Sequence, residues 1–261
     1  MKSKAEKLRD KKYYSLAHRG STDMSHPAMP VLLKLFQQSE KILDLGCGEG
    51  TRLATLIKKE HPEISQKIYG VDASEIAIRL AKKNYPGITF KVGDLEKLPF
   101  KDKEFDLLIS AYVFEHLINP EKVIIEARRL LAEGGKFMII APNFGSPNRR
   151  SPNSTEGKFK KLWIGLISDL KLLDKKNGSL NWTRVTPRHS SYITDADTTV
   201  EPYILSLLLF CQSQGFVVEY YSSNWMVDRF SFFQLLFRIP GVLGIYPFKY
   251  WGPHLTLVLR R

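Results

Sequence analysis

Three aspartates mark the segments of this 261-residue sequence whose residue types could bind a ligand. Asp44 ends a short apolar run and precedes the glycine-rich segment GCGEG at residues 46–50, while Asp72 and Asp94 end two later apolar runs. Glycines let a backbone approach a ligand, and the amides that begin a helix face it. Asp72 lies roughly 20 residues beyond the glycines, where a carboxylate can accept both hydroxyls of a ribose. Asp94 is placed to accept from an exocyclic amine, so the pattern predicts a nucleotide-binding site.

The elements that must position these aspartates are short apolar segments alternating with amphipathic segments of helical length. This alternation is typical of βαβ units and a parallel sheet. Strands are predicted at residues 41–45, 67–72, 88–94, 105–111 and 136–142, with helices at 51–61, 74–84 and 120–132 between them. Gly87 and the pair Gly134 and Gly135 are expected to close two of these helices. Beyond Pro142 we predict a loop, helices at 162–173 and 202–214, and strands at 216–223 and 254–261.

Five segments carry a resemblance to a known family: DLGCGEG, VDASEIAI, GDLEKLPF, FDLLISAYVFEHL and LLAEGGKFMIIAPN, spanning residues 40–143. In this order and spacing they resemble the motif series of class I S-adenosylmethionine-dependent methyltransferases, within the broad group of the ubiquinone and menaquinone enzymes. A nicotinamide-dependent dehydrogenase is expected to show GxGxxG, whereas this turn reads GCGEGT. The resemblance implies S-adenosyl-L-methionine as the cofactor. It also implies a Rossmann-like α/β fold with a seven-stranded, mostly parallel sheet, an antiparallel last strand and helices on both faces.

The resemblance also assigns cofactor roles to individual residues. Asp44 and the backbone of the glycine turn would hold the methionine end, Asp72 the ribose, and Asp94 the adenine amine. Leu95 would pack on the adenine ring, and Ser110 would line the methyl region. The complete implied set is Asp44, Gly46, Cys47, Gly48, Asp72, Ala73, Ser74, Asp94, Leu95, Ser110 and Ala111. Each aspartate alone is also explained as a cap or turn residue, but three at consecutive strand ends favour a ligand.

A hydroxyl acceptor must lose a proton during methyl transfer, and histidine suits that step near neutral pH. His116, after Glu115 in YVFEHL, is the first candidate base, although both residues could merely cap or pack the following turn. His189 is the alternative base. It belongs to the segment RHSSYITDAD, whose Tyr192, Asp195 and Asp197 are candidate substrate contacts, and an ordinary loop network explains that segment equally well.

The predicted organisation is a single methyltransferase domain over residues 1–261. It divides into an N-terminal cap (1–39), a cofactor-binding core (40–143), a first lid (144–200), further core (201–226 and 253–261) and an aromatic insertion (227–252). In the cap, His18 or Arg19 could reach the cofactor carboxylate. Residues 229–252 combine aromatic and basic side chains, which suits a peripheral membrane contact, while a hydrophobic cap on the domain explains them as well.

Composition limits the compartment and the partners. The formal net charge of +12 favours an anionic partner, but the excess is spread along the chain. The two cysteines lie far apart, no apolar segment follows the charged N-terminus, and no run reaches the roughly 20 apolar residues of a membrane span. We therefore expect a cytoplasmic protein, peripheral at the membrane if residues 229–252 bind lipid, and no metal is implied.

The acceptor implied by these observations is a small molecule or a lipid- or sugar-linked compound, methylated at oxygen. Two alternatives stay open. An RNA methyltransferase fits the charge, but the sequence has no RNA-binding module and no dense basic face, so nucleic acid is not the expected partner. The other alternative is a non-catalytic, methyltransferase-like binding protein. Every cofactor position carries a competent residue type, which argues against it.

Overall fold

A seven-stranded sheet forms the centre of the fold in the computed structural model, which describes residues 25–60, 67–172, 179–188, 196–227 and 232–261. The strands are β1 (Ile42–Leu45), β2 (Ile68–Asp72), β3 (Thr89–Val92), β4 (Phe105–Ala111), β5 (Leu131–Pro142), β6 (Val217–Ser222) and β7 (His254–Arg260). The helices are α1 (Met29–Gln37), α2 (Thr51–Glu60), α3 (Glu75–Asn84), α4 (Pro120–Leu130), α5 (Lys158–Leu172), α6 (Ile204–Ser213) and α7 (Phe232–Val242).

The strands follow the order β3-β2-β1-β4-β5-β7-β6. β1 pairs in parallel with β2 and β4, and β2 pairs in parallel with β3. β6 and β7 are antiparallel, with Val217 opposite Arg260. The predicted fold class, a mostly parallel sheet with an antiparallel last strand, is confirmed.

Burial explains why the first strands read as continuous apolar runs in the sequence. Every residue of β1 is buried, and β4 is buried at all positions except Asp106. Strands that are covered on both faces need apolar side chains at successive positions, which is typical of parallel sheets. Asp44 is therefore exceptional, because it places a carboxylate inside a fully buried strand.

The chain divides into two compact units. Unit 1 comprises Met1–Ala111 and Lys122–Met138, and unit 2 comprises Tyr112–Glu121 and Ile139–Arg261. All the predicted cofactor residues belong to unit 1, whereas His116, Glu115 and Asp197 belong to unit 2. The finer division of the domain proposed from the sequence stays a prediction.

The boundaries differ from the sequence prediction at the end of α4. This helix ends at Leu130, and Gly134 and Gly135 lie within β5 rather than closing a helix. Leu130 and Leu131 are both buried, so the chain passes directly from helix into strand. A Cβ atom on Gly135 would lie 3.0 Å from the carbonyl oxygen of Phe105. The glycine therefore permits a close backbone approach to β4.

Two further helices differ from the prediction. α1 lies inside the predicted N-terminal cap, where no helix at residues 29–37 was predicted, and it has Pro30 in its first turn, where a missing N–H costs nothing. α7 occupies the aromatic insertion, although Pro240 and Gly241 obscure its helical pattern in the sequence.

Candidate functional site

The glycine turn after β1 has a backbone that other residues adopt rarely. Gly46, Gly48 and Gly50 have φ angles of 74°, 54° and 83°. A Cβ atom on Gly50 would lie 2.6 Å from the ring of Phe90. The amides of Gly46 and Cys47 both donate to the carbonyl oxygen of Val71, at 2.8 and 2.9 Å, which holds the turn against the end of β2.

Asp72 fastens the same turn through its side chain. Its Oδ2 atom accepts from the amide of Gly48 at 2.9 Å, and its Oδ1 atom accepts from the amide of Ser74 at 2.8 Å. Burial raises the pKa of Asp72, while these two hydrogen bonds oppose that rise. An ionised carboxylate has about four lone-pair sites, so acceptor capacity is left for ligand hydroxyls. The ribose role assigned to Asp72 stays a prediction that this geometry allows.

Asp44 is paired with a residue that the sequence analysis did not identify. Arg52, in the first turn of α2, donates from Nε and Nη2 to the two oxygens of Asp44, at 3.2 and 3.1 Å. It also donates to the carbonyl oxygens of Gly46 and Ala111, at 3.3 and 2.9 Å. Both charged side chains are almost completely buried. Burial raises the pKa of Asp44, and Arg52 opposes this effect.

The Asp44–Arg52 pair therefore joins the ends of β1 and β4 to the glycine turn. Asp44 positions the turn through Arg52, and its direct contact with the methionine end of a cofactor stays a prediction. One signal in the sequence pointed to Arg52. A cation in the first turn of a helix is unfavourable beside the helix dipole. An arginine at this position therefore indicates that a carboxylate lies nearby.

The end of β3 exposes the carboxylate expected for the adenine amine. Asp94 lies on the surface, and its Oδ1 accepts from the amide of Glu96 at 3.0 Å. The adjacent Leu95 is buried. After β2, Ala73 is exposed and Ser74 caps α3 by accepting from the amide of Ala77 at 3.2 Å. The residues predicted to contact the adenine therefore lie directly after β2 and β3, both of which belong to unit 1.

The end of β4 carries a buried hydroxyl. Ser110 is only 1% exposed, and within the described residues its Oγ atom has no hydrogen-bond partner. A buried hydroxyl without a partner costs free energy. A bound polar ligand would supply the missing partner, which fits the predicted role of Ser110 and Ala111 in lining the methyl region.

His116 lies between two carboxylates in unit 2. The 3₁₀ turn Phe114–His116 follows β4 in the chain. The Nε2 atom of His116 lies 3.8 Å from Glu115 Oε1, and its Nδ1 atom lies 3.5 Å from Asp197 Oδ1. The carbonyl of Glu115 accepts from the amide of Thr199 at 2.8 Å, which holds the turn beside Asp197. The structure thus brings together a predicted base and a predicted substrate residue that are far apart in sequence.

The other candidates of that segment, His189, Tyr192 and Asp195, lie outside the described residues. The same holds for His18 and Arg19 of the N-terminal cap.

Tyr112 and His254 are a second polar pair that the sequence analysis missed. The Tyr112 hydroxyl lies 3.2 Å from His254 Nδ1, and the two rings meet edge to face. Tyr112 has a φ of 58°, which is unusual for a non-glycine residue and is found at functional sites. Its position directly after β4 was the available signal.

Both cysteines lie in the described part of the chain. Cys47 and Cys211 are buried free thiols, and burial raises the pKa of both. Among the residues that the structure describes, no group of three or more His, Cys, Asp and Glu side chains is placed to hold a metal ion.

The similarity to known proteins covers the part of the chain that contains the candidate cofactor site. The family described as a methyltransferase domain matches residues 36–185, more than half of the chain. A demethylmenaquinone methyltransferase of Thermotoga maritima is 32% identical over 132 residues, which are 50% of this chain and 56% of that protein. A probable S-adenosylmethionine-dependent methyltransferase of Mycolicibacterium smegmatis is 32% identical over 113 residues, 42% of each chain. Both matches span less than two thirds of the relative's own length.

A solved structure is similar over a larger part of the chain. It is the S-adenosylmethionine-dependent methyltransferase of Mesorhizobium loti, with a TM-score of 0.56 and 18% identity. The similarity covers 91% of this chain and 99% of that one. At this level of identity it shows the fold alone.

Proposed function

Because the chain belongs to the methyltransferase domain family, we propose that it transfers a methyl group to the oxygen of a small or lipid- or sugar-linked acceptor. Family membership and the names of the relatives support the predicted class, S-adenosylmethionine-dependent methyltransferase, and the predicted cofactor. The acceptor class and the acceptor atom are the proposal.

The single observation that carries the oxygen proposal is the placement of His116 between Glu115 and Asp197. Each ring nitrogen has a carboxylate oxygen within 4 Å, so a proton taken up by the imidazole is balanced by negative charge. A neutral hydroxyl must give up its proton when it is methylated, and this imidazole can accept it.

The residues of unit 1 fit the predicted cofactor. Gly46 and Gly48 adopt positive φ angles that shape the turn, Ser110 offers a buried hydroxyl that has no partner among the described residues, and Asp94 offers an exposed carboxylate. Asp72 would hold the ribose while continuing to fasten the turn at Gly48. Asp44 and Arg52 would keep the turn in place.

When bound, S-adenosylmethionine would supply an electrophilic methyl carbon for the acceptor oxygen, with its sulfur as the leaving group that keeps the electrons of the carbon–sulfur bond. The chain's own part in this reaction is to align the reactants, exclude water and remove one proton. His116 takes the hydroxyl proton, Glu115 and Asp197 orient its ring, and the two carboxylates stabilise the charge that it gains.

The acceptor can be identified with S-adenosylmethionine carrying a ¹³C-labelled methyl group. The full chain is incubated with this compound and with an extract of the organism that encodes it. The extract is then separated into lipid, water-soluble, RNA and protein fractions. We expect a methoxy carbon signal in the lipid or water-soluble fraction. Label in RNA or protein, or an N-methyl or C-methyl signal, would overturn the proposal.

The base is tested once an acceptor has been labelled. His116→Asn keeps a polar side chain beside Asp197 but cannot take up the proton, so kcat should fall at neutral pH while the affinity for S-adenosylhomocysteine is retained. Raising the pH should restore part of the activity, because the acceptor then ionises without help. A His116→Asn variant with unchanged kcat and an unchanged pH profile would exclude His116 as the base.

A further inference from the structure

Helix α5 has an apolar face that is exposed to solvent. Phe159 and Trp163 are 75% and 66% exposed, and Ile167 and Leu170 continue the same face at helical spacing. The opposite edge of α5 carries the buried residues Lys161 and Asp169, so only a narrow part of this helix packs on the fold. Large apolar side chains that share one exposed face are typical of a binding surface.

Helix α7 has a second face of the same kind. Leu236, Ile239 and Leu243 are exposed at a spacing of three and four residues, and Ile245 follows them. The buried side of α7 includes Gly241, where a Cβ atom would lie 2.2 Å from the Trp225 indole nitrogen. The small residue Gly241 therefore lets the helix pack closely on Trp225, while the large aliphatic side chains remain exposed to solvent.

The two helices belong to the same unit and are tied together around Asp169. The Asp169 carboxylate on α5 accepts from the indole of Trp251 at 2.8 Å, and the Asp169 carbonyl accepts from the hydroxyl of Tyr246. Trp251 and Phe237 of α7 are in ring contact, with centroids 5.5 Å apart. The exposed faces are thus carried on helices that are anchored to a common buried network.

The charged side chains on the exposed sides of these two helices are basic. On α5 the exposed charged side chains are Lys158, Lys160 and Lys171, while the carboxylate of Asp169 is buried. From residue 232 to residue 249 the sequence contains Arg238 and Lys249 and no acidic residue. Lysine side chains can extend beside an apolar face and place their charge at a polar surface.

We propose that the exposed faces of α5 and α7, with the lysines beside them, form a docking surface for an anionic lipid bilayer. An amphipathic helix with an aromatic and aliphatic face and basic neighbours lies in the plane of a bilayer interface. A second copy of this chain would bring the same positive charges together, which disfavours it as the occupant. Among the described residues no helix is long and apolar enough to cross a membrane, so the contact would be peripheral.

The proposal extends the peripheral contact expected for residues 229–252 to α5, which the sequence had assigned to a lid. It goes beyond the proposed methyl transfer and does not depend on it. If the chain binds vesicles but methylates a water-soluble compound, the proposed docking surface stands and only a lipid-linked acceptor is excluded.

The test is co-sedimentation of the full chain with phosphatidylcholine vesicles and with vesicles of equimolar phosphatidylcholine and phosphatidylglycerol. We expect partitioning onto the anionic vesicles and much weaker partitioning onto phosphatidylcholine alone. Phe159→Asp and Trp163→Asp should each lower the partition coefficient by on the order of tenfold, because each removes a large apolar side chain. The double variant Lys160→Glu/Lys171→Glu should lower it by about tenfold or more.

Matched controls come from exposed positions of unit 1. Ile125 on α4 is 52% exposed, and Ile125→Asp should leave the binding unchanged. Lys82 and Lys83 are exposed on α3, and the double variant Lys82→Glu/Lys83→Glu should also leave it unchanged. Equal losses in the controls and in the α5 variants would show that net charge alone drives the association, and would overturn the proposed surface.

Trp163 provides a second readout that does not require a disruptive substitution. Its indole is exposed, whereas Trp182 is half-buried and Trp225 and Trp251 are buried, so anionic vesicles should shift the tryptophan emission to shorter wavelength. Trp163→Phe should keep the co-sedimentation and lose most of the shift. Absence of binding to anionic vesicles would overturn the proposal. A dimer in analytical ultracentrifugation that Trp163→Asp dissociates would also overturn it, in favour of a second copy.

Calorimetry with S-adenosylhomocysteine separates this result from the proposed function. The α5 variants should bind S-adenosylhomocysteine as the unmodified chain does, whether or not they bind vesicles. If the chain does not bind vesicles but still binds S-adenosylhomocysteine, the result contradicts the docking surface and leaves the proposed methyl transfer untouched.

Discussion

Replacing Arg52 with methionine should destabilise the protein strongly although methionine keeps the unbranched apolar part of the side chain. Arg52 is 2% exposed and donates hydrogen bonds to Asp44, Gly46 and Ala111. Methionine fills much of the same space but leaves the Asp44 carboxylate buried without its cation. The perturbation therefore acts on charge and hydrogen bonding rather than on packing.

The magnitude follows from the burial of both partners. Removing one member of a buried ion pair costs about 3–5 kcal/mol, because the remaining charge stays in the interior. A domain of ordinary stability has a free energy of unfolding of roughly 5–15 kcal/mol, so the loss is a large fraction of the total. Replacing both partners by apolar residues, as in Asp44→Leu/Arg52→Met, should be less damaging than Arg52→Met alone.

The free energy of unfolding is measured by urea denaturation followed by circular dichroism. Arg79 on α3 is exposed and supplies the matched control, since Arg79→Met should change the stability by no more than about 0.5 kcal/mol. S-adenosylhomocysteine affinity should also fall in Arg52→Met, because the carbonyls of the glycine turn and of the β4 end lose their common donor. A loss below about 1 kcal/mol with unchanged affinity would refute the reasoning.

Three further predictions concern buried charges and the cofactor. Burial raises the pKa of Asp169 from 3.8 to about 6, so its ionisation costs the folded state up to about 3 kcal/mol as pH rises through that window. Asp169→Asn should therefore gain stability relative to the unmodified chain between pH 4 and pH 7, and an equal difference at both pH values in urea denaturation would contradict this. Lys161→Met should lower the free energy of unfolding by about 3–5 kcal/mol, because Glu201 is fully buried and loses its cation. The exposed control Lys160→Met should have little effect. Similar losses in both variants would show that the Lys161–Glu201 ion pair does not stabilise the fold. Asp72→Asn should weaken S-adenosylhomocysteine binding by at least about tenfold in calorimetry, because a charged acceptor of the ribose hydroxyls is lost; undiminished affinity would remove Asp72 from the site.

The sequence predicted the central sheet well because local and long-range requirements agree there. Residues 42–45 and 105–111 are mostly apolar because nearly all of them are buried, and the three glycines of the turn occur where the backbone has positive φ angles. The sequence was less informative about α7. Pro240 and Gly241 disfavour a helix, yet α7 includes both and ends at Val242, with Gly241 packed where a Cβ atom would collide with Trp225.

The sequence proposed individual site residues but not their pairings. Asp72 and Asp94 were proposed because strand ends in a parallel sheet share one edge, and their cofactor roles stay predictions. Nothing local indicated that Asp197 would lie 3.5 Å from His116, since the fold alone brings together two residues so distant in sequence. Arg52 was missed because it acts on Asp44 from inside a helix whose pattern had been explained by amphipathicity alone.

Cofactor binding is tested most directly by calorimetric titration of the full chain with S-adenosylmethionine and S-adenosylhomocysteine. We expect saturable binding of both at one site per chain, weakened by Asp72→Asn and by Arg52→Met but unaffected by the exposed control Arg79→Met. Absence of binding to the unmodified, folded chain would contradict the central claim that these strand ends hold S-adenosylmethionine.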